Sequence, residues 1–493
     1  MTSPHPLDLA DLPDEVRTVL RPGAVVTDAS WSSSTTDEIS SIHVVRIGGA
    51  GMSAVARLAL GAGITVSGSD SQDGQFIGPL RAAGARIGIG FDATLLADDV
   101  QVVVVSTAVR ADNPEVIEAR RRGVPVVHRA AALAGLLAGR DIVAVAGTHG
   151  KTSTTSLAAM ALRGAGEDPG WAIGAAVPDL GANAGLGTSE VAVIEADESD
   201  GSFLAFAPHA LVVTNLEGDH LDFHGELPNL VAAFDAVTGR ILPGGTLVVC
   251  ADDAGSAALG ERARARGIRV LSYGVDAGAD ARVRDEQGAV TGSRARLETP
   301  DGEVDLDLTV TGHHNVLNAT GALLGAAAVR PAASLADLAR GQAGFRGASR
   351  RFELRGTVDG VSVYDDYAHH PREVADILAA ARGIVGEGRV LAVFQPHLFS
   401  RTRIFAAEFA AALSQADAAW VMPVYAARED PDPTVDATTI TAYDPSLIAL
   451  TDRDAVPGII ADQARPGDVV MMLGAGDVVE ETARVLDALA RRG

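Results

Sequence analysis

Cysteine is all but missing: Cys250 stands alone in 493 residues, so no intrachain disulfide can staple the fold. It ends the apolar stretch TLVVC (246–250) and reads as inert core. No uncharged apolar run approaches the roughly 18 residues of a membrane-spanning helix, so no stable membrane insertion is expected. The opening MTSPHPLDLADLPDEV is acidic and lacks the basic-then-apolar order of a signal peptide, which predicts a cytoplasmic protein. Positive charge is scarce as well. Forty Lys+Arg against 64 Asp+Glu leave a net charge of −24, so there is no basic footprint for nucleic acid. Lysine is the scarcest charged residue, with Lys151 alone against 39 arginines. A chain that uses arginine everywhere else and keeps one lysine points to a tight space that only a compact ammonium enters.

What is present is a globular composition, 47% hydrophobic and 21% charged. The length suits two to four domains at about 150 residues each. Residues 1–40, with a Ser/Thr run at 32–36, read as a polar extension with one short helix. From 41 to 140 strands alternate with helices: IHVVRI (42–47), ITVSGSD (64–70), QVVVVS (101–106) and VPVVH (124–128) are the strands. A second unit, 141–345, holds strands at 142–146, 191–196, 210–215 and 246–250. It adds an antiparallel patch around a Pro-Asp-Gly turn (300–302) and a helix over 313–329. A third unit, 346–493, has strands at 361–365, 389–395, 418–424 and 468–473 and a last helix near 477–491. The alternation predicts an α/β protein of mostly parallel sheets covered by helices.

Gly147-Thr148-His149-Gly150-Lys151-Thr152-Ser153 lies between a buried strand and a helix. Such a loop turns backbone N–H groups and a helix N-terminus toward phosphate, with the lysine reaching the β/γ-phosphates and the Thr152 hydroxyl available to Mg²⁺. It is two residues shorter between its glycines than the common G-x-x-x-x-G-K-[ST] form. EADESD (195–200) sets Glu195, Asp197, Glu198 and Asp200 after a strand, and TNLEGDH (214–220) ends another with Asp219-His220. Oxygen-rich strand ends suit Mg²⁺. Gly49-Ala50-Gly51-Met52 opens a G-x-G-x-x-A turn, with Ser69 and Asp70 ending the next strand. DDYAHHP (365–371), FQPHLFSRT (394–402) and LGAGD (473–477) bring Asp365, Asp366, His369, His370, His397, Arg401, Arg403 and Asp477 to strand ends of the third unit, where an aspartate could instead cap a helix.

With GHHNVLNATGA and RRFE completing the series in order, these motifs resemble the Mur ligase family over residues 43 to 477. The resemblance implies three domains: a Rossmann-like uridine-nucleotide domain, a central P-loop-type ATPase domain, and a C-terminal Rossmann-like domain closing on ATP and amino acid. It implies ATP-dependent joining of L-alanine to the carboxylate of UDP-N-acetylmuramate through an acyl phosphate, a step of peptidoglycan precursor synthesis, by a monomer or homodimer. Gly49, Ala50, Gly51, Met52, Ser69 and Asp70 would then hold the sugar nucleotide. Lys151 would hold the γ-phosphate, and Thr152, Glu195 and His220 the Mg²⁺. His314, Asn315, Asn318, Arg350, Arg351 and Asp366 would line ATP, and His369, His370 and Arg401 would lie near the reacting groups. Two departures stand out. Arg46 occupies a position where the family usually has glycine, so its side chain must point away or alter the uridine site. A carbamylated lysine, which some relatives carry, is excluded outside the phosphate loop. The remaining alternatives are a sister ligase adding another amino acid or a peptide, a nicotinamide-dependent oxidoreductase, and a non-catalytic ATP-binding regulator.

Overall fold

A computed structural model describes residues 39–289, 292–427 and 429–492, so the short helix expected within 1–40 lies outside the described residues. Three sheets organise the rest. The first contains β1 (Ser41–Val45), β2 (Thr65–Asp70), β3 (Arg86–Ile89), β4 (Val102–Val105) and β5 (Val126–His128) in the order β3-β2-β1-β4-β5. All its pairs are parallel. β4 is four consecutive buried valines, as a strand covered on both faces requires. Helix α1 (Ala50–Gly61) follows β1, and α2 (Arg129–Leu136) follows β5. β1 stops two residues before the expected end because Arg46 takes a left-handed φ of 59°. The Arg46 guanidinium lies 5.8 Å from the centre of the Phe91 ring.

The second sheet has ten strands. β6 (Asp141–Ala146) is central, flanked by β9 (Val191–Glu195) and β10 (Ala210–Val213), with β11 (Thr246–Cys250) and β12 (Arg269–Gly274) beyond β10, all parallel. Helix α3 (Lys151–Gly164) follows β6. β7 (Gly170–Val177) and β8 (Ala182–Gly185) form an antiparallel pair on the far edge. The sequence reading missed both, because their Gly/Ala-rich stretches carry no alternation of polar and apolar residues. β13 (Ala281–Ala289), β14 (Gly292–Thr299) and β15 (Gly302–Leu308) close the other edge. The Arg296–Asp305 and Arg294–Asp307 pairs run in opposite senses along β14 and β15, as in the antiparallel patch expected around Pro300-Asp301-Gly302. Helix α4 (His313–Val329) matches its expected bounds.

The third sheet is ordered β16-β17-β21-β18-β19-β20: β16 (Glu353–Val358), β17 (Val361–Asp366), β18 (Val390–Phe394), β19 (Ala418–Val421), β20 (Leu447–Ala449) and β21 (Val469–Leu473). Only β16 is antiparallel to its neighbour. β3, β16 and β20 also escaped the sequence reading; each lies at an edge, so burial imposes little pattern on it. Helices α5 (Pro371–Ile384) and α6 (Val478–Arg491) flank this sheet.

The first two sheets share one compact unit, and residues from Arg346 onward form the body of another. Within the first unit a single apolar cluster runs from Ile42 on β1 to Ala263, so the expected boundary near 140 is no break in the core. Cys250 is buried in the second sheet, and burial pushes its thiol up to about 12, as an inert core residue requires. Among the described residues no helix is long and apolar enough to cross a membrane.

Candidate active site

The loop between β6 and α3 is shaped by two glycines at positive φ, where any side chain would strain the backbone and crowd a neighbour. Gly147 has φ 128°, and a Cβ there would fall 2.1 Å from Thr214 Oγ1. Gly150 has φ 80°, and its Cβ would fall 2.5 Å from Asn318 Oδ1. The loop is braced from the end of β10. Thr148 N donates to Asn215 O (3.2 Å), His149 N to Asn215 Oδ1 (2.7 Å), and Thr214 Oγ1 to His149 O (2.5 Å). Glu217 N donates to Thr148 Oγ1 at 2.9 Å. The TNLEG stretch thus holds the loop's shape. Asn318, expected to line ATP, packs against Gly150.

At the start of α3 the Lys151 ammonium donates to Gly147 O (2.7 Å), Thr148 O (3.1 Å) and Glu198 Oε1 (2.8 Å), matching its three protons. Burial opposes its charge, but Glu198, Asp197 and Glu195 outweigh that and raise its pKa. Glu198 has no exposed surface, and burial pushes its carboxyl up to about 8 against the pull of Lys151. His220 Nε2 faces Glu198 Oε1 at 3.7 Å and Asp219 Oδ2 at 3.5 Å. Thr152 Oγ1 donates to Glu195 Oε1 at 3.1 Å, and Gly174 N donates to Glu195 Oε2 at 2.7 Å. A Cβ at Gly174 would sit 2.8 Å from Glu195 Oε1, so this glycine keeps the space around the carboxylate open. Two oxygen ligands in such a niche fit Mg²⁺.

At the carboxyl edge of the first sheet, Asp70 Oδ2 accepts from Gly48 N at 2.8 Å and thereby fixes the glycine turn. Ser69 points into the fold: its hydroxyl donates to Glu115 Oε2 at 2.6 Å. His43 Nε2 contacts the same oxygen at 3.1 Å, and Asp92 N donates to Oε1 at 3.2 Å. Met52 is buried in the core, and Ala50 O accepts from Asn183 Nδ2 at 2.9 Å. Gly49 caps α1, and Gly51 lies in its first turn. Glu115 and Arg129, unmarked by any motif, prove central to this edge. Arg129 Nη2 donates to Asp197 Oδ2 at 3.3 Å. Burial lowers the neighbouring His128 imidazole to about 4, although Asp200 lies 3.7 Å away.

The third sheet gathers its motifs at the carboxyl ends of β17, β18 and β21. Arg350, with φ 60°, donates from Nη2 to Gly474 O (2.7 Å) and Gly476 O (3.1 Å) and lies over the Tyr367 ring. Arg351 lies over the same ring and 3.7 Å from Glu373. Asp366 accepts from Phe352 N and Ala368 N, each at 2.7 Å, and burial pushes it up to about 6. Asp365 bonds the Thr482 hydroxyl. His369 Nδ1 lies 3.0 Å from Tyr367 O. His397 stacks on Tyr425 and meets His369 edge-on. His370 precedes α5, with Glu373 accepting from its N–H at 3.3 Å, and Arg401 is buried in a short helix after β18. Arg403 pairs with Asp432, and Asp477 accepts from Gln395 Nε2 at 2.6 Å. Asn315 Nδ2 donates to Thr311 O at 2.8 Å, and His314 packs on Gly312.

Three family models match consecutive stretches: Mur ligase family, catalytic domain, over 41–141; Mur ligase middle domain over 145–326; and Mur ligase, glutamate ligase domain, over 350–476. The chain belongs to the Mur ligase family. Among its relatives, the UDP-N-acetylmuramate–L-alanine ligase of Kineococcus radiotolerans is 50% identical, with 92% of this chain and 96% of that protein covered. The same-named ligase of Paenarthrobacter aurescens is 48% identical, covering 92% and 98%. The crystal structure of the UDP-N-acetylmuramate-alanine ligase MurC of Thermotoga maritima superposes with a TM-score of 0.76 at 28% identity, covering 92% and 100%. A murein peptide ligase of Psychrobacter arcticus gives 0.69 at 26%, covering 91% and 98%. Three α/β domains in series, as in other Mur ligases, account for the three sheets.

Proposed function

We propose that this Mur ligase joins L-alanine to the carboxylate of UDP-N-acetylmuramate, converting ATP to ADP and phosphate, as the first amino-acid addition in peptidoglycan precursor synthesis. The observation that carries the reading is 47–50% identity, over 92% of the chain, to ligases named for that reaction. Residues 41–140 take the sugar nucleotide, 141–345 take ATP, and 346–493 serve ATP and the amino acid. The work is cytoplasmic.

A carboxylate is a poor electrophile, so one of its oxygens must become a leaving group. The substrate carboxylate attacks the γ-phosphorus, ADP departs, and an acyl phosphate forms. Phosphoryl transfer of this kind asks the protein for position and charge rather than covalent help. The loop amides and Lys151 supply both. Thr152 and Glu195 would hold Mg²⁺, with His220 nearby; that ion neutralises phosphate charge when bound. The L-alanine amine then attacks the acyl carbon, phosphate leaves, and the amine gives up a proton. We assign His369 as its acceptor. Its Nδ1 faces the Tyr367 carbonyl at 3.0 Å and Glu373 Oε2 at 3.3 Å, and these two acceptors orient the ring.

The test is ADP release with UDP-N-acetylmuramate and L-alanine, glycine, L-serine or the peptide L-alanyl-γ-D-glutamyl-meso-diaminopimelate. L-Alanine gives the fastest release on this reading. Release indifferent to the amine leaves a bare ATPase, and preference for the peptide assigns the sister activity that the murein peptide ligase fold would equally carry.

A further inference from the structure

Arg129 occupies the first helical position of α2, directly after β5, and no motif drew attention to it. One side of its guanidinium is committed. Nη2 donates to Asp197 Oδ2 at 3.3 Å and to Ser202 Oγ at 3.5 Å, and lies 3.9 Å from Asp200 Oδ2. All three partners follow β9 and belong to the acidic loop that starts after Glu195 and also carries Glu198. The other side turns to the glycine turn at the start of α1. A Cβ on Gly51 would fall 2.6 Å from Nη1 and 2.8 Å from Cδ, so the guanidinium lies against bare backbone there. The same edge includes Thr107 after β4, whose hydroxyl donates to Asp200 Oδ2 at 3.0 Å. The carboxyl ends of β1, β4 and β5 therefore converge with that of β9 around one cation, and the carboxyl edge of an open parallel sheet is where such folds take ligands.

On the function proposed above, a sugar nucleotide must rest on the glycine turn while its acid group reaches the acidic loop. It carries anionic oxygens at the diphosphate and at the carboxylate. We propose that Arg129 is a substrate-binding residue whose Nη1 side receives an anionic oxygen of the sugar nucleotide, while Asp197 and Ser202 hold the Nη2 side and set its direction. A planar guanidinium suits this double task better than an ammonium, because its donors lie on separate edges of one rigid fork. Gly51 lacks a side chain because the fork needs its place.

The test is calorimetric binding to the full chain without ATP, comparing wild type with R129M and R129K. The ligands are UDP-N-acetylmuramate, UDP-N-acetylglucosamine (which has the diphosphate and no carboxylate) and ADP. Losing a charge-assisted hydrogen bond should weaken UDP-N-acetylmuramate about ten- to a hundredfold in R129M. R129K should recover part of the loss, and ADP should bind within twofold of wild type. Equal loss for both sugar nucleotides assigns the diphosphate; loss confined to UDP-N-acetylmuramate assigns the carboxylate. R129M binding it within twofold of wild type overturns the inference and leaves the ligase reading standing. So does a parallel fall in ADP affinity and melting temperature, which marks a structural clamp. Wild type that binds neither sugar nucleotide sinks the ligase reading and this inference with it.

Discussion

Replacing Lys151 by arginine keeps the charge and should still abolish useful turnover. The Nζ atom is held at 2.7, 3.1 and 2.8 Å by two loop carbonyls and Glu198, and the side chain is only 13% exposed. That pocket accepts a tetrahedral ammonium on a thin stem. A guanidinium is planar, wider and carries five donors, so it cannot satisfy the same three acceptors and remain at the neck of the loop. Losing one well-placed donor to a developing oxyanion costs about 2.7–4 kcal/mol, or a factor of about 10²–10³ in kcat. Coupled ADP release at saturating L-alanine reads this directly, with ADP affinity measured alongside. The expected pattern is kcat down by at least about a hundredfold and ADP affinity within about tenfold, because the loop amides still hold the β-phosphate. K151R turning over within tenfold of wild type would show that charge alone suffices and that the geometry of this pocket is irrelevant.

Three further outcomes follow from other contacts. Ala at Glu115 strands Ser69 Oγ, His43 Nε2 and Asp92 N; at about 1–3 kcal/mol for each buried unsatisfied group, urea unfolding should show a loss above about 3 kcal/mol, and a loss under about 1 kcal/mol refutes it. Gly147→Ala sets a Cβ 2.1 Å from Thr214 Oγ1 at φ 128°, so equilibrium dialysis should find ATP binding lost, and retained affinity contradicts the loop account. Asp366 is raised from 3.8 to about 6 by burial, so the folded chain holds its proton where the unfolded chain has released it. Its contribution is complete below about pH 4 and disappears as pH rises through about 6, worth about 3 kcal/mol. Urea titrations at pH 4 and 7 should show wild type losing stability relative to D366N over that window, and a constant difference rejects the assignment.

The parts of this site that were legible in the sequence are those where chemistry demands a residue type at a fixed spacing. Lys151 stands out because a phosphate loop needs glycines of unusual φ followed by a cation, and β6 and α3 flank it with strong patterns. Helix α4 could be bounded to the residue because its apolar run is long. Ser69 and Asp70 show the opposite case. Their position after a strand suggests ligand contact, yet Ser69 answers to Glu115, 46 residues away, and Asp70 to Gly48. Such pairings depend on how strands stack in space, which spacing along the chain does not encode. Glu115 and Arg129 were invisible for the same reason: each begins an ordinary helix and acquires its role from elements distant in sequence. The β7–β8 hairpin escaped because glycine and alanine serve close packing against α1 and carry no periodic signature.

The apolar layer shared by the first two sheets bears on how the chain is made. Synthesis releases the first sheet before β7 and β8, which pack against α1, and before the rest of the shared layer. Until they emerge, a nascent chain holds sticky surface that only a chaperone or its own later half can shelter. The pair should then assemble as one cooperative block, and a fragment ending near residue 140 should aggregate during expression.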